Sequence, residues 1–167
     1  MRASQEDINE FKRQLKKGAI RRAYKGLLTY MLDLRRFFMG KYTTYDVSGL
    51  YHGYMDMTYF ALFPKSLKQR DLKVALLFNY EAFRFEVWLA GRNRKVQKKY
   101  WEVFKGFQCD ECRVVEPGKG VDAIVESTLA EDFDFDNLDA LTSSIEKATL
   151  KFIDRIEEFL SDHQAKR

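Results

Sequence analysis

LKVALLFNYEAFRFEVWLA, residues 72–90, is two apolar runs with almost nothing between them. Runs this close read as an antiparallel hairpin turning near Glu81 and Ala82. A two-residue loop aligns Val74, Leu76, Phe78 and Tyr80 on one face with Phe83, Phe85, Val87 and Leu89. The same register sets Lys73, Ala75, Leu77 and Asn79 beside Arg84, Glu86, Trp88 and Ala90. The first face is wholly apolar and the second is mixed, so the hairpin has one side for a core and one side where charge and a tryptophan meet.

Working outward, Gly91 and Asn93 open a helix in which Val96, Tyr100, Val103, Phe104 and Phe107 share about one third of the circumference. Arg94, Lys95, Lys98 and Lys105 lie opposite, where a packed helix keeps its charges. The dense run of bases in RFEVWLAGRNRKVQKKYW, residues 84–101, is therefore expected to be mostly the solvated side of a strand and a helix. A loop over residues 108–120 leads to a strand near Ala123 to Leu129. Asp136 is placed to cap a long helix whose Leu138, Leu141, Ile145, Ala148, Phe152, Ile156 and Phe159 repeat at steps of three and four.

Upstream, GYMDMTYFALFP is apolar on both faces of an extended segment that Pro64 ends. Before it, Ser4 and Asp7 form a capping-box pattern, Ile8, Phe11 and Leu15 recur at helical spacing, and Gly18 stops that first helix. A second helix runs from Ile20 to about Met39 on Ala23, Tyr24, Leu27, Leu28, Met31, Leu34 and Phe38. The expected fold is one α+β domain over residues 1–167. Its antiparallel sheet of about four strands is flanked by N-terminal helices, a central helix and a long C-terminal helix.

A chain of 167 residues, 46% hydrophobic and 15% aromatic, buries one sizeable core. No apolar stretch suits a signal peptide or a membrane span, and two cysteines make no disulfide framework, so the expected compartment is the cytoplasm. Charge is uneven along the chain. Residues 11–25 carry Lys12, Arg13, Lys16, Lys17, Arg21, Arg22 and Lys25 without an acid, and residues 120–146 carry acids without a base. The two segments either neutralise each other or leave a basic surface for a polyanion.

At GYMDMTYF, RFEVWLAGRN and VQKKYWEVF the chain resembles a prokaryotic family known only as a domain of unknown function, from about Ile20 to Leu160. That resemblance implies a common fold and brings no catalytic residue. The order helix, strand, hairpin, helix, strand, helix also looks like the core of restriction-endonuclease-like nucleases. Those enzymes hold a metal with an acid on one hairpin strand and an acid-x-lysine on the next. Here Glu86 can be an acid, but Trp88 stands in the lysine position and residues 72–80 contain neither Asp nor Glu. Asp56 is the nearest substitute.

CDEC, residues 109–112, invites a redox or zinc reading. Asp110 and Glu111 oppose thiolate formation, and only His52 and His163 are available as further ligands, so neither a metal nor a disulfide is expected there. GxGxxG, GxxxxGK and GxSxG patterns are absent, and no cofactor is expected. What remains is a set of polar residues interrupting apolar patterns: Arg35 in the second helix, Tyr54 and Asp56 in the first strand, and Arg84 and Glu86 beside Trp88. Converging, they would form a small polar pocket with aromatic walls. The expectation is a non-catalytic binding or interaction module for an unknown small molecule or protein. The alternative is a nucleic-acid-binding protein with a degenerate nuclease core, with or without weak metal-dependent activity.

Overall fold

The computed structural model describes residues 1–165. It opens with helix α1, Gln5–Lys17, started by a reciprocal cap in which Asp7 N donates to Ser4 Oγ at 3.1 Å and Ser4 N donates to Asp7 Oδ2 at 2.8 Å. Gly18, at φ +78°, turns the chain into α2, Ala19–Lys41. Leu27, Tyr30, Met31, Leu34 and Phe38 of α2 are buried, whereas α1 contributes no buried residue.

The strands are β1, Asp46–Val47; β2, Met57–Phe63; β3, Leu72–Asn79; β4, Arg84–Gly91; β5, Cys112–Val114; and β6, Ala123–Ala130. They form one antiparallel sheet in the order β1-β2-β3-β4-β6-β5. The sheet therefore has six strands where the sequence suggests four. The two extra strands are short edges of two and three residues, too brief to display a period. Helix α3, Lys65–Lys68, follows β2; α4, Arg94–Phe104, links β4 to β6 by way of β5; and α5, Leu138–Ala165, closes the domain.

The hairpin keeps the register its alternation dictates, with Val74 opposite Leu89, Leu76 opposite Val87 and Phe78 opposite Phe85. Its turn is wider than two residues. Asn79 Oδ1 accepts from the backbone N–H groups of Glu81 and Ala82, both at 3.1 Å, and Phe83 sits at φ +54°, so the ladder ends at Asn79 and Arg84. Tyr80 and Phe83 leave the strands but stay against Phe78, with ring centroids 5.0 and 5.2 Å away.

The apolar hairpin face, with Phe60 and Leu62 of β2, shares one core with α2, α4 and α5. Tyr30 of α2 and Thr142 of α5 join their hydroxyls at 3.0 Å, and Phe104 of α4 lies 4.8 Å from Phe159 of α5. Two local expectations shift. Asn137 rather than Asp136 caps α5, its Oδ1 accepting from Ala140 N at 3.3 Å. Asp56 lies ahead of β2 instead of within it, because its carboxylate accepts from Tyr54 N at 2.8 Å and bends the chain there.

The acidic run does not neutralise the basic one. Asp122 pairs with Arg94, Glu126 with Arg113, Glu131 with Arg84 and Glu146 with Lys41, while Arg13 pairs locally with Glu10. The Glu146 site fastens α2 to α5 and gives a pH test. Hydrogen bonds from Lys41 and then from the Tyr42 hydroxyl hold the Glu146 carboxyl below its usual 4.5. Tyr42 is itself pushed up to about 12, first by burial and then by that hydrogen bond. A carboxyl with a depressed native pKa adds stability that is present at neutral pH and is lost as pH falls through that pKa. Glu146→Gln is expected to melt below the wild type at pH 7, and the gap is expected to close as thermal scans move below about pH 4.5.

Candidate functional site

Strand β4 alternates strictly: Phe85, Val87 and Leu89 face the core, while Arg84, Glu86, Trp88 and Ala90 face the other side of the sheet. Opposite them on β3 are Asn79, Leu77, Ala75 and Lys73, and beyond those on β2 lie Met57, Tyr59 and Ala61. Large residues alternate with small ones across these strands. Ala75 and Ala90 lack the bulk to fill the space beside Tyr59 and Trp88, and a cavity of about 430 Å³ results.

Glu86 fixes one wall of this cavity. Its carboxylate is buried at 4% exposure, yet every donor it needs is close. Arg84 Nε reaches Oε1 at 2.7 Å, Trp88 Nε1 reaches Oε2 at 3.0 Å and Asn79 Nδ2 reaches Oε1 at 3.3 Å. The indole is thereby held in one orientation. Arg84 also binds Glu131 at 2.7 Å, and hydrogen bonds to Glu86 and then Glu131 raise its pKa, so its charge is secure.

The far end of the cavity is closed by the start of α4. Asn93 caps that helix, its Oδ1 accepting from Val96 N at 2.9 Å. Gln97 is buried and donates to the Val121 carbonyl at 2.8 Å, and Arg94 bonds that same carbonyl and pairs with Asp122 at 3.3 Å. Arg94 is therefore a structural tie between α4 and the loop before β6 and not merely a solvated base. Gly91 makes the strand-to-helix junction possible, since a Cβ there would meet Gln97 N at 2.8 Å. Lys73 overhangs the cavity with its ammonium 6.0 Å from the Tyr59 ring centroid, and among the described residues no carboxylate pairs with it.

Of the six residues singled out in the sequence, Arg84, Glu86 and Trp88 meet in one hydrogen-bonded group. The other three stand elsewhere. Arg35 donates from Nε to the Ser48 carbonyl next to β1, Tyr54 is 89% exposed, and Asp56 is occupied with the Tyr54 amide, which holds its carboxyl below the usual 3.8. Of the hydrogen-bonded group only Trp88 lines the cavity, while Arg84 and Glu86 border a separate groove; Tyr59, Lys73, Ala75 and Ala90 are among the cavity's other lining residues. Their signal was present in the two-residue period, as small residues bordered by large aromatics on the face that carries Trp88.

A family model matches residues 4–160. The chain belongs to the family described as Domain of unknown function (DUF7000). The match takes in α1 and nearly all of α5, so the protruding first helix is part of the DUF7000 domain. No curated protein and no solved structure matches the chain. Among the described residues, no helix is long and apolar enough to cross a membrane, and no group of three or more His, Cys, Asp or Glu side chains is arranged to hold a metal ion. Glu86 and Asp56, the two acids that a nuclease-like core would require, are bound to different partners.

Three substitutions test this geometry in the DUF7000 domain. Arg84→Met leaves the buried Glu86 carboxylate with only neutral donors and is expected to cost about 1–3 kcal/mol in urea unfolding; Glu86→Gln, which keeps a hydrogen-bonding group there, is expected to cost less. Gly91→Ala forces β4 away from α4 and is expected to cost about 1–3 kcal/mol, read by the same titration.

Proposed function

We propose that this DUF7000 domain is a non-catalytic cytoplasmic binding module. Its ligand is a small planar molecule bearing a carboxylate or phosphate. The observation that carries this reading is the cavity beside Trp88, with its short floor of Ala75 and Ala90, its walls of Tyr59 and Trp88, and at its rim Lys73, unpaired among the described residues. Flat aromatic walls suit a ring, and a lysine without a carboxylate partner suits an acid on that ring.

The neighbouring charges favour binding over catalysis. Asp122, among the described residues the one carboxylate lining the cavity, is taken by Arg94, and Arg92 at the rim is paired with Asp71 at 3.6 Å. A general acid or base needs a titratable group free to exchange a proton with substrate; Asp122 and Arg92 are committed, and Lys73, the free group, is assigned to holding the ligand's acid. A cytoplasmic setting fits a chain of 32% charged residues whose one cysteine pair spans three positions and closes too small a loop to staple a fold.

The nucleic-acid alternative needs the bases of residues 11–25 and 92–99 to merge into one stripe. Tyr24 of α2 lies 5.8 Å from Tyr80 at the hairpin turn, whereas Arg92 follows the opposite end of β4. The two basic groups thus approach opposite ends of the hairpin, which speaks against a shared track.

The test uses Trp88 as its own reporter in a Trp101→Phe background. Aromatic carboxylates and nucleoside monophosphates are titrated against fluorescence and melting temperature. At least one is expected to quench Trp88 and raise the melting temperature, with affinity falling about tenfold or more in Lys73→Met. If none binds, or if Lys73→Met leaves affinity intact, the proposed pocket is wrong. Salt-dependent oligonucleotide binding that survives Lys73→Met would instead establish the alternative.

A further inference from the structure

Cys109 to Cys112 make a turn between α4 and β5. Cys112 N donates to the Cys109 carbonyl at 3.1 Å, the two Cα atoms come within 5.1 Å, and the structure joins the sulfurs as a disulfide. The sequence gives no reason to expect this pairing, because the neighbours of the cysteines along the chain are acids. The fold changes their surroundings. Arg155, on α5 and 46 positions away, places Nη1 2.8 Å from Cys109 Sγ.

The other charges around the turn are largely matched. Glu111 pairs with Lys151 of α5 at 3.1 Å, and Arg113 of β5 pairs with Glu126 of β6, which leaves Asp110 as an exposed acid screened by water. The charge in contact with Cys109 is therefore the half-buried guanidinium, which favours thiolate over thiol. Cys112 lines a groove of about 400 Å³ in which Glu86 and Glu126 are matched by Arg84 and Arg113, and among the described residues no cation hydrogen-bonds its sulfur as Arg155 does that of Cys109. The cross-link itself adds little rigidity, since its loop is short and the turn is already tied by Ser127 Oγ donating to the Glu111 carbonyl at 2.7 Å.

We propose that Cys109 and Cys112 are a thiol–disulfide exchange site in which Arg155 holds Cys109 as the attacking thiolate. The reaction partner is a small disulfide, RSSR. The Cys109 thiolate attacks one sulfur of RSSR, the RS–SR bond breaks, and one thiolate leaves to take a proton from water. The Cys112 thiol then loses its proton to water and attacks Cys109 Sγ of the mixed disulfide, forming the Cys109–Cys112 bond and releasing the second RS group, which is protonated. The protein gives up two hydrogens, and RSSR becomes two RSH.

The test compares the two sulfurs singly. Reduced Cys112→Ser, carrying only Cys109, and reduced Cys109→Ser, carrying only Cys112, are alkylated with iodoacetamide from pH 5 to 9, after circular dichroism confirms that each is folded. The pH midpoint for Cys109 is expected about one unit or more below that for Cys112. Adding Arg155→Gln is expected to bring the Cys109 midpoint up to that of Cys112, and Arg155→Lys to keep it low. The reduced wild type with oxidised glutathione is expected to lose two hydrogens by intact mass, and dithiothreitol to restore them. Equal midpoints, a Cys109 midpoint indifferent to Arg155→Gln, or glutathione adducts with no internal disulfide would each overturn the proposal. If Arg155→Gln fails to fold, the comparison of the two cysteines and the glutathione reaction still decide it.

Discussion

A carboxylate shut inside a sheet must find donors or the sheet does not form, and Glu86 is that carboxylate. Its partners are where a two-residue period puts them. Arg84 and Trp88 lie two positions away on either side along β4, and Asn79 reaches across from β3. A slip of one residue would drive Glu86 among Phe60 and Phe78 and turn Phe85 and Val87 outward. Charge and hydrophobicity thus select the same register independently. The orientation of Trp88, and with it the shape of the cavity, is a by-product of satisfying Glu86.

The hairpin end is reinforced by aromatic rings as well as by the Arg84–Glu131 pair. Phe78 contacts Phe83, Phe85 and Phe133 edge to face, and Phe83 and Phe133 stack at 6.1 Å. Tyr30 of α2 meets both Phe85 and Phe135. The segment that precedes α5 is held against the turn by these contacts, which together join residues far apart in the chain.

The hairpin and its two faces were legible because alternation needs only neighbours, and α1, α2 and α4 because caps and helical spacing are local. The edges β1 and β5 were not, since two or three residues carry no period. Within the site, Arg84, Glu86 and Trp88 could be grouped because one strand presents them together. Arg35 could not be placed, because its acceptor is the main-chain carbonyl of Ser48, and side-chain chemistry says nothing about where a carbonyl points. The cavity is defined by absent bulk at Ala75 and Ala90, a quantity that exists only once three strands lie side by side. The same holds for Arg155, whose approach to Cys109 depends on how α5 packs against β6.

The brevity of the outer strands has a consequence for how the protein behaves when crowded. An open sheet offers unpaired N–H and C=O groups along its margins, and a long margin recruits further strands from other molecules. Here one margin is the two-residue Asp46–Val47 segment, with Lys68 bound to Asp46, and the other is Cys112–Val114, bearing Arg113 and abutted by the cysteine turn. Neither is long or greasy enough to serve as a template. A sheet whose four central strands are dense in Val, Leu and Phe is in this way kept from growing sideways into aggregates by its two least conspicuous pieces of chain.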